Sequence, residues 1–410
     1  MKKRYVTHLF FILLLVCSFI TTTSFTDVTS SNSKAFECAV QRVDHDAIII
    51  RNNSAFLEQK IANGWPGNGT TDDPIIISDY RIEFEQEGIV IENVNLSFFI
   101  QNCETSDYDY QYWNSIGIRI NNCTHGVILD SYVHMKEIGV KIENSDNITL
   151  YNTTIRDCHT GVTLLDNTNI ILAENNLGWN DFEGINVTLS ESCQIFGNSI
   201  LGVPDYGIVC LNDNFTSITN NYISSAYLDD EQFSHVGIYS VMSWNLDIYE
   251  AYITYCWIGI NTLMTTDSSV RACEISSSTE YGIFLGSGTS NVTLRNNYLG
   301  PTSGINAYDG GAGNFWDDPY LQEGNWWSDY SGAGFYFIAG PAGSIDHYPN
   351  VFYPSTSTTS PTFPPTSVPP PNGSGIPSDL PFREIMIVGI AIELVVIFYL
   401  LTRRRHRMSG

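Results

Sequence analysis

The chain has 410 residues, and its acidic residues outnumber its basic residues 44 to 19, which gives a formal net charge of −25. A surface this acidic disfavours nucleic acid as a partner and is compatible with divalent cations such as calcium, although a solvated acidic coat explains it equally simply. Aromatic residues make up 13% of the chain, which argues against disorder in its central part.

Residues 1–30 have the pattern of a signal peptide. Lys2, Lys3 and Arg4 form a basic start, an apolar stretch runs from Leu9 to Ile20, and Ser and Thr residues follow. We expect this segment to direct export. A retained N-terminal anchor is the alternative.

A repeat of nearly constant period follows a lead-in segment at residues 31–74. The pattern Gly-[Ile/Val]-x-[apolar or small] recurs at Gly88, Gly117, Gly139, Gly161, Gly184, Gly207, Gly237, Gly259, Gly282 and Gly304. Seven of the nine intervals are 22 or 23 residues long, and each unit continues with polar, often Asn-rich turns and short apolar strands. A leucine-rich repeat would need leucines at fixed offsets, and these are absent. The repeat predicts an all-β fold: a right-handed parallel β-helix, a solenoid of about ten coils over residues 75–310, with its glycines stacked in one line.

Two intervals are longer, because the chain inserts ETSDYDYQYWNS after Cys103 and SSAYLDDEQFSH after Ile223. Both insertions fall at the same point of a coil, so we expect them to leave the same side of the solenoid, roughly 25 Å apart. Their aromatic and acidic side chains suit stacking on sugar rings and binding of hydroxyl groups. The candidate ligand-binding residues are Asp107, Tyr108, Asp109, Tyr110, Tyr112, Trp113, Asp229, Asp230 and Glu231. Solvated loops whose rings cover the coil edge are the alternative.

The sequence predicts no catalytic residue, no cofactor and no defined metal site. Copper needs converging His or Met ligands, whereas the histidines of the exported part fall at different offsets in their coils. The acidic pairs Asp72/Asp73 and Asp317/Asp318 are interpreted as structural. Eight cysteines follow Cys17, and we expect most to be small buried side chains, with any disulfide pairing left open.

Ten sequons for N-linked glycosylation fit an exported chain. They are at Asn52, Asn68, Asn95, Asn122, Asn147, Asn152, Asn186, Asn214, Asn291 and Asn372.

The C-terminal part predicts a membrane anchor. A cap (311–350) and a Pro/Ser/Thr-rich stalk (351–383) precede an apolar stretch (384–402) that is long enough to span a bilayer, and a basic tail (403–410) follows. The arginine cluster in this tail places it in the cytoplasm and the bulk of the chain outside. Glu393 lies within the predicted span and is a candidate contact for a partner helix.

Residues 36–350 resemble the NosD-like family of right-handed β-helix repeat proteins, which is common on archaeal cell surfaces. The segments HDAIIIRNNSAFLEQ…NGWPGNGTTDDPIII and GNFWDD…EGNWWSDYSG…DHYPN are similar to the family's entry and terminal cap. The resemblance implies the β-helix fold. In the cap, the stretch SGAGFYFIAGPAGSI has no carboxylate before Asp346, so a calcium site there is not expected.

We therefore expect a membrane-anchored extracellular β-helix that binds glycan, envelope or protein partners without catalysis. A polysaccharide lyase or hydrolase is the alternative from a different class. The resemblance also leaves open copper delivery of the NosD type.

Overall fold

The computed structural model describes residues 42–83, 85–107, 114–225 and 235–351. The chain divides into two compact units, Met1–Tyr353 and Pro354–Gly410, and all described residues belong to the first. This part is a parallel β-solenoid in which successive coils add strands to three sheets of eleven, ten and twelve strands. We name them sheets 1, 2 and 3, in the order in which a coil visits them.

The strands are short and the sheets are long. Sheet 1 comprises Ile48–Ile50, Glu87–Glu92, Ile116–Asn121, Ile138–Glu143, Thr160–Leu165, Glu183–Thr188, Tyr206–Leu211, Val236–Val241, Ile258–Leu263, Tyr281–Leu285 and Ile305–Asp309. Sheet 2 comprises Ile75–Ser78, Phe98–Gln101, Thr124–Leu129, Asp146–Tyr151, Ile171–Ala173, Gln194–Phe196, Ser217–Thr219, Asp247–Tyr249, Ser269–Arg271 and Thr293–Arg295. Sheet 3 comprises Val43–Asp44, Tyr80–Glu83, Glu104–Ser106, Tyr132–His134, Thr154–Arg156, Asn176–Gly178, Ser199–Leu201, Tyr222–Ser224, Tyr252–Thr254, Glu274–Ser276, Tyr298–Leu299 and Trp326–Trp327. The predicted all-β solenoid of about ten coils is confirmed.

The first turn (sheet 1 to sheet 2) and the second turn (sheet 2 to sheet 3) each begin with a residue of left-handed backbone. Asn93, Asn122 and Asn144 have φ of 56°, 54° and 48° in the first turn, and Asn102 and Asn152 have φ of 49° and 46° in the second. Asn tolerates this conformation better than other residues with a Cβ because its short amide bonds locally. The Asn-rich turns of the sequence are therefore the corners of the coils.

A ladder of buried amides stacks inside the second turn. The backbone N–H of Asn175 donates to Asn198 Oδ1 at 2.9 Å, and the N–H of Asn198 donates to Asn221 Oδ1 at 3.0 Å. Asn198 Nδ2 donates to the Leu172 carbonyl at 2.9 Å. Each side chain thus satisfies buried backbone groups of the neighbouring coil, which would otherwise destabilise the interior.

Close packing between coils explains the repeat glycine. A Cβ on Gly184 would lie 2.6 Å from the Gly207 carbonyl oxygen and 2.7 Å from Ile200 Cγ2. The predicted line of glycines is wrong at Gly304, because Asn306 stands opposite Gly282 instead. This side chain fits because the cap follows it, and its amide donates to Asp329 at 2.7 Å.

Both ends of the solenoid are covered. Helix α1, Asn53–Asn63, buries Phe56 against Trp65 and Phe98, with ring centroids 6.1 and 5.9 Å apart. In the cap, an antiparallel hairpin pairs Tyr336–Phe337 with Ile345–Asp346. The lead-in and cap segments of the sequence thus both contribute ordered structure.

Predicted segments at the two termini lie outside the described residues. These are the signal peptide (1–30), most of the stalk (351–383), the span (384–402) with Glu393, and the tail (403–410). Within the described ranges, no helix is long and apolar enough to cross a membrane.

Candidate ligand-binding edge

Both long insertions lie in the third turn, the connection from sheet 3 to sheet 1. One follows the strand that ends at Ser106 and the other follows the strand that ends at Ser224. Five strand steps in sheet 3 separate them, or about 24 Å. Eight of the candidate residues lie outside the described residues: Tyr108, Asp109, Tyr110, Tyr112, Trp113, Asp229, Asp230 and Glu231. Their contact with a ligand stays a prediction.

The base of the first insertion is buried. Asp107 is 1% exposed and Lys136 is 3% exposed, and the Lys136 ammonium donates to the Glu85 carbonyl oxygen. Burial lowers the pKa of Lys136, and the nearby Asp107 carboxylate opposes that shift. Asp107 therefore lies in the interior beneath the insertion and not on its surface.

A compensated ion cluster lies beside this base on the outer face of sheet 3. The Glu104 carboxylate is 2.8 Å from Arg42 Nη1, 3.4 Å from His134 Nε2 and 3.6 Å from Arg81 Nε. The hydrogen bond from His134, together with Arg42, lowers the pKa of Glu104 although burial raises it. With its charge balanced by Arg42 and Arg81, Glu104 tethers the lead-in to the first coils.

Between the two insertions, the third turn carries a row of side chains in register. Each member of this row directly precedes a residue that pairs with the neighbouring coils in sheet 1; the members are His159, Phe182, Asp205 and His235. The rings of His159 and Phe182 stack, with centroids 5.3 Å apart and planes 3° apart. We call these four residues the third-turn row.

Aromatic rings continue from this row onto the outer face of sheet 1. Tyr206 meets Phe182 edge to face at 6.1 Å and stacks on Tyr239 at 5.3 Å. Phe182 and Tyr206 are half-buried. An apolar cluster that includes Val209 and Val236 supports Tyr239. The rings are thus held in place before any ligand arrives, which reduces the entropy lost on binding.

Carboxyl groups crowd beside the rings. Burial raises the pKa of the half-buried Asp205 and, although that residue is exposed overall, the pKa of Asp181. For Asp181, the His159 ring opposes this shift, and the charges of Asp157 and Glu137 add to it. Perturbed carboxyls beside a histidine are characteristic of functional sites, although ion networks also produce them.

His235 ends the row in an unusual state. It is 2% exposed, and burial lowers its pKa to about 4, so the ring is neutral at pH 7. The Val203 carbonyl opposes that shift slightly but does not meet hydrogen-bond geometry, and no described residue bonds either ring nitrogen.

The third-turn row was missed in the sequence, although a signal for it exists. All four residues stand two positions before a repeat glycine. The expectation that the histidines fall at different offsets is therefore wrong for His159 and His235. Because the four positions hold three different residue types, the shared place in the coil is hidden unless the repeats are aligned on their glycines.

The described cysteines are interior packing groups. All seven are buried and free, and burial raises the pKa of Cys158 to about 12 and that of Cys103 to about 11. Such thiols are poor nucleophiles and poor metal ligands.

The acidic pair in the cap has structural partners. Asp317 accepts hydrogen bonds from the His347 amide and contacts its ring at 2.7 Å, and Asp318 accepts from the amides of Tyr320 and Leu321. In the other pair, the Asp73 carbonyl accepts two turn amides. The side-chain contacts agree with the structural interpretation of Asp317 and Asp318, whereas the interpretation of Asp72 and Asp73 stays a prediction.

The described sequons differ in accessibility. Asn122 and Asn291 are exposed in the first turn, and Asn147 is exposed near the start of the sheet 2 strand Asp146–Tyr151. Asn52, Asn68, Asn95 and Asn152 are exposed as well, and Asn214 is half-buried. Asn186 is half-buried on the outer face of sheet 1, and its amide donates to both Glu183 oxygens at 2.9 and 3.0 Å.

Two family models match the chain in sequence. One, for the periplasmic copper-binding protein NosD, matches residues 50–234, and the other, for a right-handed β-helix region, matches residues 183–318. No curated protein shows significant sequence similarity to the chain.

Solved structures show only distant similarity. The periplasmic alginate epimerase AlgG matches with 11% identity and a TM-score of 0.46 over 67% of this chain and 73% of its own. The A-module of the Azotobacter vinelandii mannuronan C-5 epimerase AlgE6 matches with 13% identity and a TM-score of 0.46 over 65% and 77%. An alginate lyase from Paenibacillus sp. str. FPU-7 matches with 13% identity and a TM-score of 0.42 over 62% and 94%. Likenesses this weak carry no argument about activity.

The donor groups of the described residues do not fit copper. Among them, no three His, Cys, Asp or Glu side chains converge to hold a metal ion. His134 and His347 each contact a carboxylate. His159 and His235 are three coil steps apart, or about 14 Å, which is too far for a shared ion. The family matches, the entry and cap motifs and the three-sheet coils agree on the architecture: the chain forms a right-handed parallel β-helix, and residues 50–234 are similar to the NosD family.

Proposed function

We propose that the protein is a membrane-anchored extracellular β-helix that binds glycans without cleaving them, and that the third turn between the two insertions is its binding edge. The observation that carries this proposal is the ordered series of rings from His159 to Tyr239 beside the carboxyls of Asp181 and Asp205. Aromatic faces stack on the apolar faces of sugars, and carboxylates and amides bind sugar hydroxyls.

The geometry favours an extended ligand. Successive coils repeat about every 4.8 Å, so the rings form a track along the solenoid rather than an enclosed pocket. The third turns that carry the two insertions belong to coils at the two ends of this track. A chain of several sugar units matches such a track better than a small molecule does.

The predicted signal peptide, stalk and C-terminal span supply the location. The span at 384–402 would anchor the chain, and the arginine-rich tail would remain in the cytoplasm. Protease treatment of intact cells is expected to release a fragment of nearly full length. Release that requires permeabilised cells would show that the orientation is reversed.

Glycan-array binding by the full chain in nanodiscs tests the proposal. We expect discrete glycan hits that Tyr206→Ala weakens by about 1–3 kcal/mol. Tyr151→Ala is the matched control, because Tyr151 is also half-buried on an outer face but belongs to sheet 2. The absence of hits, or equal loss in both variants, would reject the proposed edge.

Catalysis on a polysaccharide is the second candidate, and the raised pKa values of Asp181 and Asp205 favour it. Incubation of each array hit with the protein, followed by measurement of new reducing ends and unsaturated products, separates the two functions. Binding without turnover is the expected result.

A further inference from the structure

We infer that a group of exposed apolar side chains in the C-terminal cap contacts the surface of a zwitterionic lipid bilayer; this inference rests on the membrane anchoring in the proposed function. We call the group the cap patch, and its members are Tyr320, Leu321, Phe335, Phe337 and Val351. These residues are between 46% and 95% exposed. Single exposed apolar side chains are common on soluble proteins, so the grouping of these five is what indicates a partner.

The hairpin of the cap turns two of the rings outward. Tyr336 packs against the core and stacks on the buried Trp327, with ring centroids 3.9 Å apart and planes 11° apart. Successive side chains of an extended segment point to opposite faces. Phe335 and Phe337 therefore project together from the face opposite to Tyr336, and both are exposed.

Contacts across the cap connect these rings to the turn that carries Tyr320 and Leu321. The Phe335 ring meets His347 edge to face, with centroids 5.0 Å apart. The His347 ring in turn contacts the Asp317 carboxylate at 2.7 Å. Asp317 lies just before the turn in which Tyr320 and Leu321 are exposed. The members of the patch thus belong to one region of the cap.

The patch lies where the described part of the chain ends. Val351 is the last described residue, and a Cβ on Gly332 would lie 3.1 Å from Val351 Cγ2. The predicted stalk that begins there has about 30 residues, which span at most roughly 100 Å. An anchored chain therefore keeps the patch at a high local concentration beside the bilayer, so that weak contacts suffice.

The charges of the cap select the class of lipid. Residues 330–345 carry no charged side chain, and residues 311–351 include Asp318, Glu323 and Asp329 but no Lys or Arg. An anionic headgroup would meet like charges that no cation of the cap offsets, which opposes binding. A zwitterionic headgroup has no net charge, and aromatic side chains are enriched where headgroups meet hydrocarbon.

A second copy of the chain is the other occupant that the apolar side chains would accept. In a two-fold interface the same surface meets itself, so the acids of the two caps would be brought together. Such like-charge contacts are unfavourable, and a zwitterionic bilayer surface avoids them. The charges therefore favour the bilayer.

Site-specific photocrosslinking of the full chain in phosphatidylcholine vesicles tests the inference. p-Benzoylphenylalanine replaces Phe337 in one variant, and it replaces Ile61 of helix α1 or Phe215 of the first turn in two controls, which are also exposed apolar residues. We expect lipid adducts at position 337 to exceed those at both control positions by at least about tenfold. Exchange of part of the phosphatidylcholine for phosphatidylglycerol should reduce the adducts.

A second variant tests whether the patch acts as a unit. With the crosslinker in place of Tyr320, Phe335→Ser should lower the yield of lipid adducts several-fold, whereas Phe215→Ser should leave it unchanged. Both serines replace exposed rings, so the melting temperature should stay that of wild type. Equal yields in the two variants would contradict a joint contact.

Flotation of the vesicles separates this inference from the proposed anchoring. A chain that floats but gives no more lipid adduct at position 337 than at the control positions would overturn the cap contact while the anchoring stands. A covalent dimer in place of lipid adducts would assign the patch to a second copy, and adducts that increase with phosphatidylglycerol would overturn the lipid class. A chain that does not float would reject the anchoring and the cap contact together.

Discussion

The first two turns of each coil differ from the third in what their residues do. All three kinds of turn begin with a left-handed residue in most coils, in the third turn for example at Met135, Asp157 and Trp179. In the first and second turns, a small inward polar residue also recurs in many coils, and the Asn175–Asn198–Asn221 ladder is the clearest case. In the third turn the length varies, both insertions occur, and some charged and aromatic side chains, such as His159, Asp181 and Phe182, are at least partly exposed. Two turns that maintain the stack leave the third free to vary, which is how rigid scaffolds commonly carry function.

Gly184→Ala should give the largest loss of stability, because it disrupts the stacking of coils on which the difference between the turns depends. The new Cβ would lie 2.6 Å from the backbone oxygen of Gly207, which cannot move without shifting a whole coil. We expect a loss of roughly 4 kcal/mol or more in the free energy of unfolding, or failure to fold.

Gly178→Ala is the matched control. Apart from the residues next to it in the chain, the nearest atom to a Cβ on Gly178 would be the Leu201 carbonyl oxygen at 4.0 Å. The Gly178 backbone is not left-handed. Chemical denaturation of both variants should show a near-neutral change at Gly178. Similar losses at the two positions would contradict the packing account of the repeat.

Most first-turn residues that face the interior are neutral, and Asp213 is an exception. Asp213→Asn tests the cost of this buried acid. Burial raises the Asp213 pKa to about 7. Contacts with Thr216 and with the Asn214 and Ser190 amides oppose this rise only partly. No described residue meets hydrogen-bond geometry with either carboxylate oxygen. Between pH 4 and 7 the folded chain keeps this proton and the unfolded chain loses it, so stability falls as pH rises.

This shift corresponds to a loss of at most roughly 4 kcal/mol by pH 7. Asn removes the titration and can bond as Asn167 does, whose Oδ1 accepts from the Ser145 amide at 3.0 Å. We expect Asp213→Asn to be more stable than wild type at pH 7–8 and equal to it near pH 4, with Asp166→Asn as the exposed control. If the free energies of unfolding of wild type and Asp213→Asn change in parallel between pH 4 and 8, the titration of a buried Asp213 carboxyl is refuted.

Trp113→Ala tests the predicted binding role of the first insertion, which rests on the sequence alone. An exposed ring should leave melting stability nearly unchanged, while affinity for an array hit falls by about 1–3 kcal/mol. A core ring would instead lower the free energy of unfolding by about 3–5 kcal/mol. That second pattern, with affinity intact, would remove the first insertion from the binding edge.

The smallest expected effect concerns glycosylation. Any N-linked glycans should occupy exposed sites such as Asn122, Asn147 and Asn291 and not Asn186, whose amide is bonded to Glu183 beside the rings. Mass spectrometry of glycopeptides from native membranes measures this directly. A glycan on Asn186 would cover the aromatic track and argue against it.

The coils were predictable because the same local code repeats: a glycine at the close approach and Asn at the corners. The register of the last coil could not be predicted, because Asn306 takes the glycine position there. Its amide donates to Asp329 of the cap, and such contacts between residues distant in sequence do not show in the repeat. The third-turn row was hidden for a different reason. Its four residues share a place in the coil but not one chemical type, and a periodic pattern is detected only where the same type of residue recurs.

Hydrogen exchange measured by mass spectrometry, with and without the tightest array hit, tests the central claim most directly. Our account predicts slower exchange at residues 157–160, 179–183 and 202–206 on ligand binding, with the first and second turns of the same coils unchanged. Protection confined to the first or second turns or to the cap, with the third turn unaffected, would contradict it.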